Sequence, residues 1–377
     1  MRARTLRRWQ AVHTVSSLLC TLFMLMLCIT GLPLIFHDEI EDALNPPTWQ
    51  PAHPDGPHLS LDAVLAIALE RRPGEVPIFM SFDVDRPVVN VTSGPTADAP
   101  AGAMHFASFD LTSGERVPPA AVGETLMHVL LQLHTDLFLG LPGMLLLAAM
   151  GLMFVVAVVS GVVLYGPFMR RLDFGTLRRG AAPRLWWLDL HNLLGVTTVA
   201  WALLVAVTGA INALEPVIIE AWRTRELGDL IAEHGGRERA HPRASFDAAV
   251  AQAVAAAPDR QLQFVAFPGS RFSTPGHYAI FLHGKTPFTE HLITPVLVDA
   301  ASGVVVGLRE MPAYVKALSL SRPLHFGDYG GLGLKILWAL LDLVTIAVLV
   351  SGLWLWLRRR RSGRVGYAAA WSSMQAP

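Results

Sequence analysis

Four of the 14 histidines recur at matched spacings. His13 lies 18 residues before Gly31, which follows Thr30, and His191 lies 18 residues before Gly209, which follows Thr208, an offset of 178. His134 precedes Ser160-Gly161 by 26 residues, as His325 precedes Ser351-Gly352, an offset of 191. Imidazole is the commonest nitrogen ligand for metals, and helices that face one another with one histidine each are a usual way for a bundle to build a metal or haem site. Anchoring at a membrane surface would not demand the same residue twice at one spacing, whereas shared ligation does. Cys20 and Cys28 form neither a CxxC pair nor the CxxCH attachment of a c-type haem, so any haem in this chain is held by ligands alone. The chain has no HExxH and no clustered carboxylate-histidine set, which argues against metal-dependent hydrolysis.

The elements that must position these histidines are membrane helices. Hydrophobic residues make up 52% of the chain and charged residues only 16%, against about 25% charged in an ordinary soluble domain. Val15 to Phe36 runs 22 residues without a charge and Leu137 to Met169 runs 33, where about 20 suffice to cross the hydrocarbon layer. Leu190 to Leu214 is interrupted only by His191, and Ile336 to Leu357 only by Asp342. Arg2, Arg4, Arg7 and Arg8 precede the first span, but its apolar run is too long for a signal peptide and no A-x-A site follows, so it is read as retained.

Arg170, Arg171, Arg178, Arg179 and Arg184 fill the loop between spans two and three, and Arg358 to Arg361 follow span four. By the positive-inside rule, both termini and this loop face the cytoplasm. The expected order is span 1–37, periplasmic domain 38–136, span 137–169, cytoplasmic loop 170–188, span 189–214, periplasmic domain 215–332, span 333–357 and cytoplasmic tail 358–377. Strand-like runs at Val88 to Thr92, Tyr278 to Leu282 and Val296 to Val298 make each outer segment a small α/β unit. Trp186, Trp187, Trp354 and Trp356 sit where interfacial aromatics belong. Basic and acidic residues number 30 each, so no net field draws the chain to nucleic acid.

The outer segments repeat as well. Leu59-Ser60-Leu61-Asp62-Ala63 matches Ala244-Ser245-Phe246-Asp247-Ala248 at an offset of 185, and Asp110-Leu111-Thr112-Ser113-Gly114 matches Asp299-Ala300-Ala301-Ser302-Gly303 at 189. An offset that grows in small steps is that of a duplicated unit with loop insertions. The expected fold is an α-helical membrane protein of four transmembrane helices, arranged as two parallel repeats of helix, periplasmic α/β domain and helix about an axis along the membrane normal.

Equivalent histidines then face each other across that axis, His13 with His191 at the cytoplasmic side and His134 with His325 at the outer side. Each pair suits one bis-histidine b-type haem, two haems in all. From His13 to the outer end of span one is 24 residues, or about 36 Å, so a haem at each border would form an electron path across the bilayer. His53, His58, His105, His234, His241, His277, His283 and His291 fall in the outer segments and are read as solvated or hydrogen-bonded. His128 aligns with Ser319 and stands outside the pairs. His37, aligned with Glu215 and followed by four acidic residues, reads as a solvated helix end rather than a polar mouth where a substrate or proton enters. Asp189 reads as the cap of span three rather than as the acceptor of the His191 ring proton. Asp342 inside span four either relays a proton or bonds a neighbouring helix such as the one that carries Asn212.

The chain resembles the PepSY-associated transmembrane family, and within it the ferric-siderophore reductases of the FoxB, or ferrioxamine reductase, type. The marks are Trp9-Gln10-Ala11-Val12-His13, Leu188-Asp189-Leu190-His191-Asn192, Leu133-His134-Thr135-Asp136, Arg322-Pro323-Leu324-His325-Phe326-Gly327, and the Asp-x-x-Ser-Gly turns at Asp110 and Asp299, similar to the close of a PepSY module. The resemblance implies a haem-dependent oxidoreductase that delivers electrons to an iron(III) siderophore, of hydroxamate type, in the periplasm and releases iron(II). Hard oxygen donors hold iron(III) well and iron(II) loosely, which is the physical sense of such a reduction. The arginine-rich loop has no GxGxxG and no room for a dinucleotide domain, so the electron donor is separate, a membrane quinol or a cytoplasmic flavin reductase. The alternative is a membrane-tethered PepSY protein with a periplasmic binding or regulatory role and no redox chemistry.

Overall fold

The computed structural model describes residues 3–44, 49–51, 53, 56–83, 86–118, 126–169, 173–178, 182–225, 228–229, 232–233, 244–286 and 289–374, the side chains of 3, 168, 169 and 359–374 excepted. Arg2, Arg170, Arg171, Arg179, His234, His241 and the side chains of Arg359, Arg360 and Arg361 lie outside the described residues. In chain order the first half comprises α1 (Ala3–Leu34), α2 (His37–Leu44), α3 (Leu61–Glu70), β1 (Val76–Phe82), β2 (Val88–Gly94), β3 (His105–Asp110), β4 (Arg116–Val117), α4 (Leu126–Thr135) and α5 (Leu141–Met169). The second comprises α6 (Pro183–Ala213), α7 (Glu215–Thr224), α8 (Phe246–Ala256), β5 (Arg260–Ala266), β6 (His277–Gly284), β7 (Ile293–Asp299), β8 (Val305–Leu308), α9 (Ala313–Phe326) and α10 (Gly331–Met374). The chain divides into a helical unit, Met1–Glu41 with Glu124–Glu215 and Ser321–Pro377, and a sheet unit, Asp42–Gly123 with Pro216–Leu320.

In the helical unit, Arg4–Leu34, Leu141–Pro167, Pro183–Ala213 and Asp328–Arg358 are long and apolar enough to cross a membrane. The chain is a multi-pass membrane protein. Small residues let its helices approach closely. Thr198, Ala202, Ala206 and Ala210 are buried at four-residue intervals along α6, and a Cβ at Gly151 of α5 would stand 3.4 Å from the Ala206 carbonyl oxygen. Cys20 and Met24 of α1 pack with Leu349 of α10, beside Met150 and Phe154 of α5.

Two span starts differ most from the sequence reading. Helix α6 begins at Pro183 rather than at 189, because proline's fixed φ and missing N–H suit the first helical turn. Span two begins at Leu141, since Leu137 (φ 57°), Phe138 (φ 59°) and Gly140 (φ 63°) form a left-handed turn. That turn cuts off α4 as a separate short helix, and α9 likewise precedes α10, so His134 and His325 sit on short helices outside the long spans.

In the sheet unit the two outer segments, expected as one α/β unit each, share a single antiparallel sheet of order β4-β3-β2-β1-β5-β6-β7-β8. The seam is the β1–β5 pair, where Met80 faces Val265. Helices α3 and α8 cover one face through Val64, Ala68, Phe246 and Val250, while Trp222 of α7 and Val315 of α9 pack on the other against Ala279, Phe281 and Leu297. Every residue of β6 is buried, as a strand covered on both faces requires. The two Asp-x-x-Ser-Gly turns close alike. Asp110 and Asp299 accept from residues two or three ahead, and Gly114 and Gly303, both at φ 72°, return their N–H to the aspartate carbonyl at 2.8 Å.

The repeated Ser-x-Asp steps meet each other. Leu61 N and Asp62 N donate to Asp247 at 2.8 and 3.0 Å, while Phe246 N, Asp247 N and Ser245 Oγ donate to Asp62 at 3.0, 3.2 and 2.6 Å. Each helix N-terminus is thus capped by its own serine and by the other helix's aspartate. Burial alone would raise the Asp62 carboxyl's pKa, but the hydrogen bonds from Ser245, Phe246 and Asp247 outweigh it and hold it below the ordinary value. Asp62→Ala and Asp247→Ala are each expected to cost about 1–2 kcal/mol, the size of a lost cap, and the double variant less than their sum because they share partners. Thermal unfolding in detergent measures this. The Asp62 contribution is present above about pH 3.9 and is lost as pH falls through the lowered folded value.

Candidate functional site

The helical unit brings the four spaced histidines together in two pairs. His13 of α1 and His191 of α6 stand with ring centroids 6.5 Å apart and planes at 65°. His134 of α4 and His325 of α9 stand at 6.2 Å and 64°. Each ring is gripped from behind by a third helix segment. His13 Nδ1 lies 2.9 Å from the Ala157 carbonyl oxygen and 3.3 Å from Ser160 Oγ, and His191 Nδ1 lies 3.1 Å from the Val348 carbonyl oxygen and 3.0 Å from Ser351 Oγ. His325 Nδ1 lies 3.0 Å from the Val205 carbonyl oxygen and 3.2 Å from Thr208 Oγ1. His134 Nδ1 lies 2.9 Å from Thr30 Oγ1, and the ring bonds the Leu27 carbonyl.

A carbonyl can only accept, so Nδ1 carries the proton in all four rings and Nε2 carries the lone pair. The hydroxyls agree, because Ser160, Ser351, Thr30 and Thr208 spend their own protons on helix carbonyls and so accept from the imidazole. This is the tautomer in which histidine ligates a metal through Nε2 while a backbone oxygen holds Nδ1–H. The grip has one local pattern: a carbonyl four residues before a glycine, a hydroxyl one residue before it, and the glycine itself. A Cβ would stand 3.1 Å from His134 Cε1 at Gly31, 3.2 Å from His13 Cε1 at Gly161, 3.2 Å from His191 Cε1 at Gly352 and 2.8 Å from His325 Cε1 at Gly209. Each ring edge therefore rests on bare helix backbone.

The spacing suits one metal ion between two imidazoles. Two bonds of about 2.0 Å and two ring radii of about 1 Å put trans ring centroids about 6 Å apart, and both pairs meet that separation. Around the first pair lies a cavity of about 500 Å³ that reaches from Gln10 and Arg184 inward to Thr198, Ala202 and Thr345, within the range of about 300–1,000 Å³ of small-ligand sites. Its wall includes both rings and Gly195, where an added Cβ would meet nothing within 4 Å among the described residues, which leaves room there for a flat ligand. Among the described residues no group of three or more His, Cys, Asp or Glu side chains stands together as a metal site.

The family described as PepSY-associated TM region matches residues 10–359. The chain belongs to this family. A relative, an uncharacterised protein of Pseudomonas aeruginosa, is 28% identical over 261 residues, which cover 63% of this chain and 64% of the relative. The chain thus spans a little under two thirds of that relative's length.

Other candidate residues of this PepSY-associated chain stand apart from the pairs. His37 bonds the Leu34 carbonyl oxygen at 3.1 Å and Asp38 at 3.0 Å, which is a satisfied helix end. His128 sits on α4, six residues before His134. Arg322 pairs with Glu215 at 3.2 Å, and Lys335 with Glu39 at 3.0 Å. Asn212 takes a hydrogen bond from Ser321, whereas Asp342 meets the Cys28 thiol of α1. The third-helix acceptors were not foreseen as such, although the Thr-Gly and Ser-Gly steps that carry them had marked the repeat.

Asp189 is not a helix cap, because α6 starts six residues earlier. Its buried carboxylate takes Arg178 Nε at 2.8 Å, Nη2 at 2.6 Å and the Arg178 amide at 3.1 Å. The pair ties the connecting loop to the helix turn that carries His191. Removing one partner leaves the other charge buried and unpaired, which costs more than removing both. Arg178→Ala is expected to lower the melting temperature and speed tryptic cleavage in the loop, and Arg178→Ala with Asp189→Asn to recover part of the stability. Limited proteolysis with thermal unfolding checks both.

Proposed function

We propose that this chain is an inner-membrane di-haem reductase that carries electrons across the membrane to an iron(III) siderophore in the periplasm and releases iron(II). The observation that supports it is the doubled site, with two histidine pairs of nearly equal separation and angle, every Nδ1–H held by the protein and every Nε2 left with its lone pair. His13 with His191 and His134 with His325 would hold the two b-type haems. Bound there, haem supplies a one-electron carrier. The chain's own part is to fix the four imidazoles by their Nδ1–H bonds and to seat each ring edge on the bare backbone at Gly31, Gly161, Gly209 and Gly352.

The reading takes the two halves as parallel repeats. Between His13 and Gly31, the seat of His134, are 18 residues of α1, about 27 Å along the helix. The pairs therefore serve opposite membrane borders. Arg4, Arg7, Arg8, Arg184 and Arg358 fall at the helix ends near the His13–His191 level, which makes that end cytoplasmic, together with both termini. The sheet unit's segments follow the far ends of α1 and α6 and are periplasmic. The substrate rests on the resemblance of the four histidine motifs to ferric-siderophore reductases, and on the looser hold of hard oxygen donors on iron(II). A quinol or a cytoplasmic flavin reductase supplies the electrons.

Purified protein from haem-sufficient cells is expected to show a low-spin haem spectrum and close to two haems per chain. His134→Ala or His325→Ala should remove one haem and keep the other, and His13→Ala or His191→Ala should do the reverse. A colourless protein, or four alanine variants with full haem content, would sink the assignment. Gly209→Ala, whose Cβ would meet His325 Cε1 at 2.8 Å, is expected to lose or disturb the haem of that pair alone. Stopped-flow mixing of dithionite-reduced protein with a panel of iron(III) chelates tests the substrate, with re-oxidation by hydroxamate complexes as the expected result.

A further inference from the structure

We infer that Asp342 is a proton-binding site inside the helical unit that is loaded when the chain accepts an electron. This rests on the haem reading above. Asp342 lies near the middle of the Asp328–Arg358 span and is only 5% exposed. The Cys28 thiol bonds its carboxyl, and among the described residues its Oδ2 has no hydrogen-bond partner. A carboxyl in the low-dielectric interior of a membrane protein with one oxygen unmet is costly to hold, and it is a functional candidate for that reason.

Its place in the fold says what it would serve. Asp342 is ten residues from Gly352, about 15 Å along α10 from the seat of His191. Cys28 is three residues from Gly31, about 4.5 Å along α1 from the seat of His134. The carboxyl therefore lies between the two histidine pairs and nearer the second. Asp342, Thr345, Leu349 and Gly352 follow one face of α10, and the last three line the cavity around His13 and His191. Thr21, Thr198 and Thr345 also line it, each with its hydroxyl proton given to its own helix carbonyl, at 2.6, 2.9 and 2.9 Å, and with lone pairs to spare. A polar track thus runs from the cavity to within one helical turn of Asp342.

Few charges compete at that depth. The titratable neighbour from α1 is Cys28, α5 carries only Tyr165 near its far end, and the ionisable residues of α6 (Arg184, Asp189 and His191) fall in its first nine positions. Lys335 of α10 is held by Glu39, and His134 and His325 are committed to their own pair. A negative charge added to this interior by one electron from the separate donor is balanced by one proton from water, taken up along the cavity. The proton leaves a hydronium ion of the bulk water, where one O–H bond breaks and a water molecule remains, and one O–H bond forms on the Asp342 carboxylate, which becomes a carboxylic acid.

The test is a redox titration of the purified, haem-loaded protein at several pH values, followed by haem absorbance. In the wild type the midpoint potential of one haem, the one lost in His134→Ala, is expected to fall with rising pH at a slope that approaches one proton per electron. Asp342→Asn, which keeps the shape, should retain both haems and lose that slope. Cys28→Ala should retain the slope and move the pH range over which it appears. Reduced-minus-oxidised infrared spectra should show the carbonyl band of a newly protonated carboxylic acid in the wild type and not in Asp342→Asn. Equal slopes and equal bands in the two proteins, with both haems present, would overturn the inference alone. A colourless wild type would overturn the haem reading and the coupling with it.

Discussion

The helical unit depends on a hydrogen bond from an imidazole Nδ1–H to a backbone carbonyl that already serves its own helix. A carbonyl oxygen has two lone pairs, so Ala157, Leu27, Val205 and Val348 can take the ring proton as a second donor. An unmet N–H in this interior would cost about 1–3 kcal/mol, so the bond fixes both the tautomer and the ring's direction. Everything else at the site follows from bringing the ring close enough to make it. The neighbouring residue has to be glycine, because a side chain at Gly209 would overlap the His325 ring. The residue before it has to carry a hydroxyl that gives its proton elsewhere.

The sheet unit solves its seam with the same kind of exchange. There the donors are helix N-terminal amides and the acceptors are the side chains of Asp62 and Asp247, each of which reaches to the other helix. Both devices place a strong acceptor from one element on an otherwise unmet donor of another, and so give geometric precision to contacts that apolar packing alone would leave free to slide.

Features local in sequence were legible and features made by long-range pairing were not. Charge-free runs located all four spans, and the strand-like runs at Val88, Tyr278 and Val296 fall inside β2, β6 and β7. Matched spacing singled out His13, His134, His191 and His325, since equal intervals along equivalent helices put residues at equal depth. The fusion of both outer segments into one sheet left no local mark, because Met80 and Val265 pair across 185 residues. The start of α5 was hidden inside an unbroken apolar run, where Leu137 and Phe138 take left-handed φ values without the glycine or asparagine that announces them. Asp189 misled for a related reason: an aspartate ahead of an apolar stretch looks like a cap, and only the position of Pro183 shows that the helix has already begun.

The arrangement of the grips has an energetic consequence. His13 rests on α5 and His134 on α1, while His191 rests on α10 and His325 on α6, so every Nδ1–H bond stays within residues 3–169 or within 183–358. The facing contacts, His13 with His191 and His134 with His325, cross between these halves. Orientation is therefore supplied within each half, and apposition between them. A ligand that bridges a facing pair adds its binding free energy to the contact between halves and to nothing within them. Because the rings are already aimed, little of that energy is spent on ordering the side chains. A ligand held by both rings of a facing pair would therefore stabilise the bundle most where its halves meet.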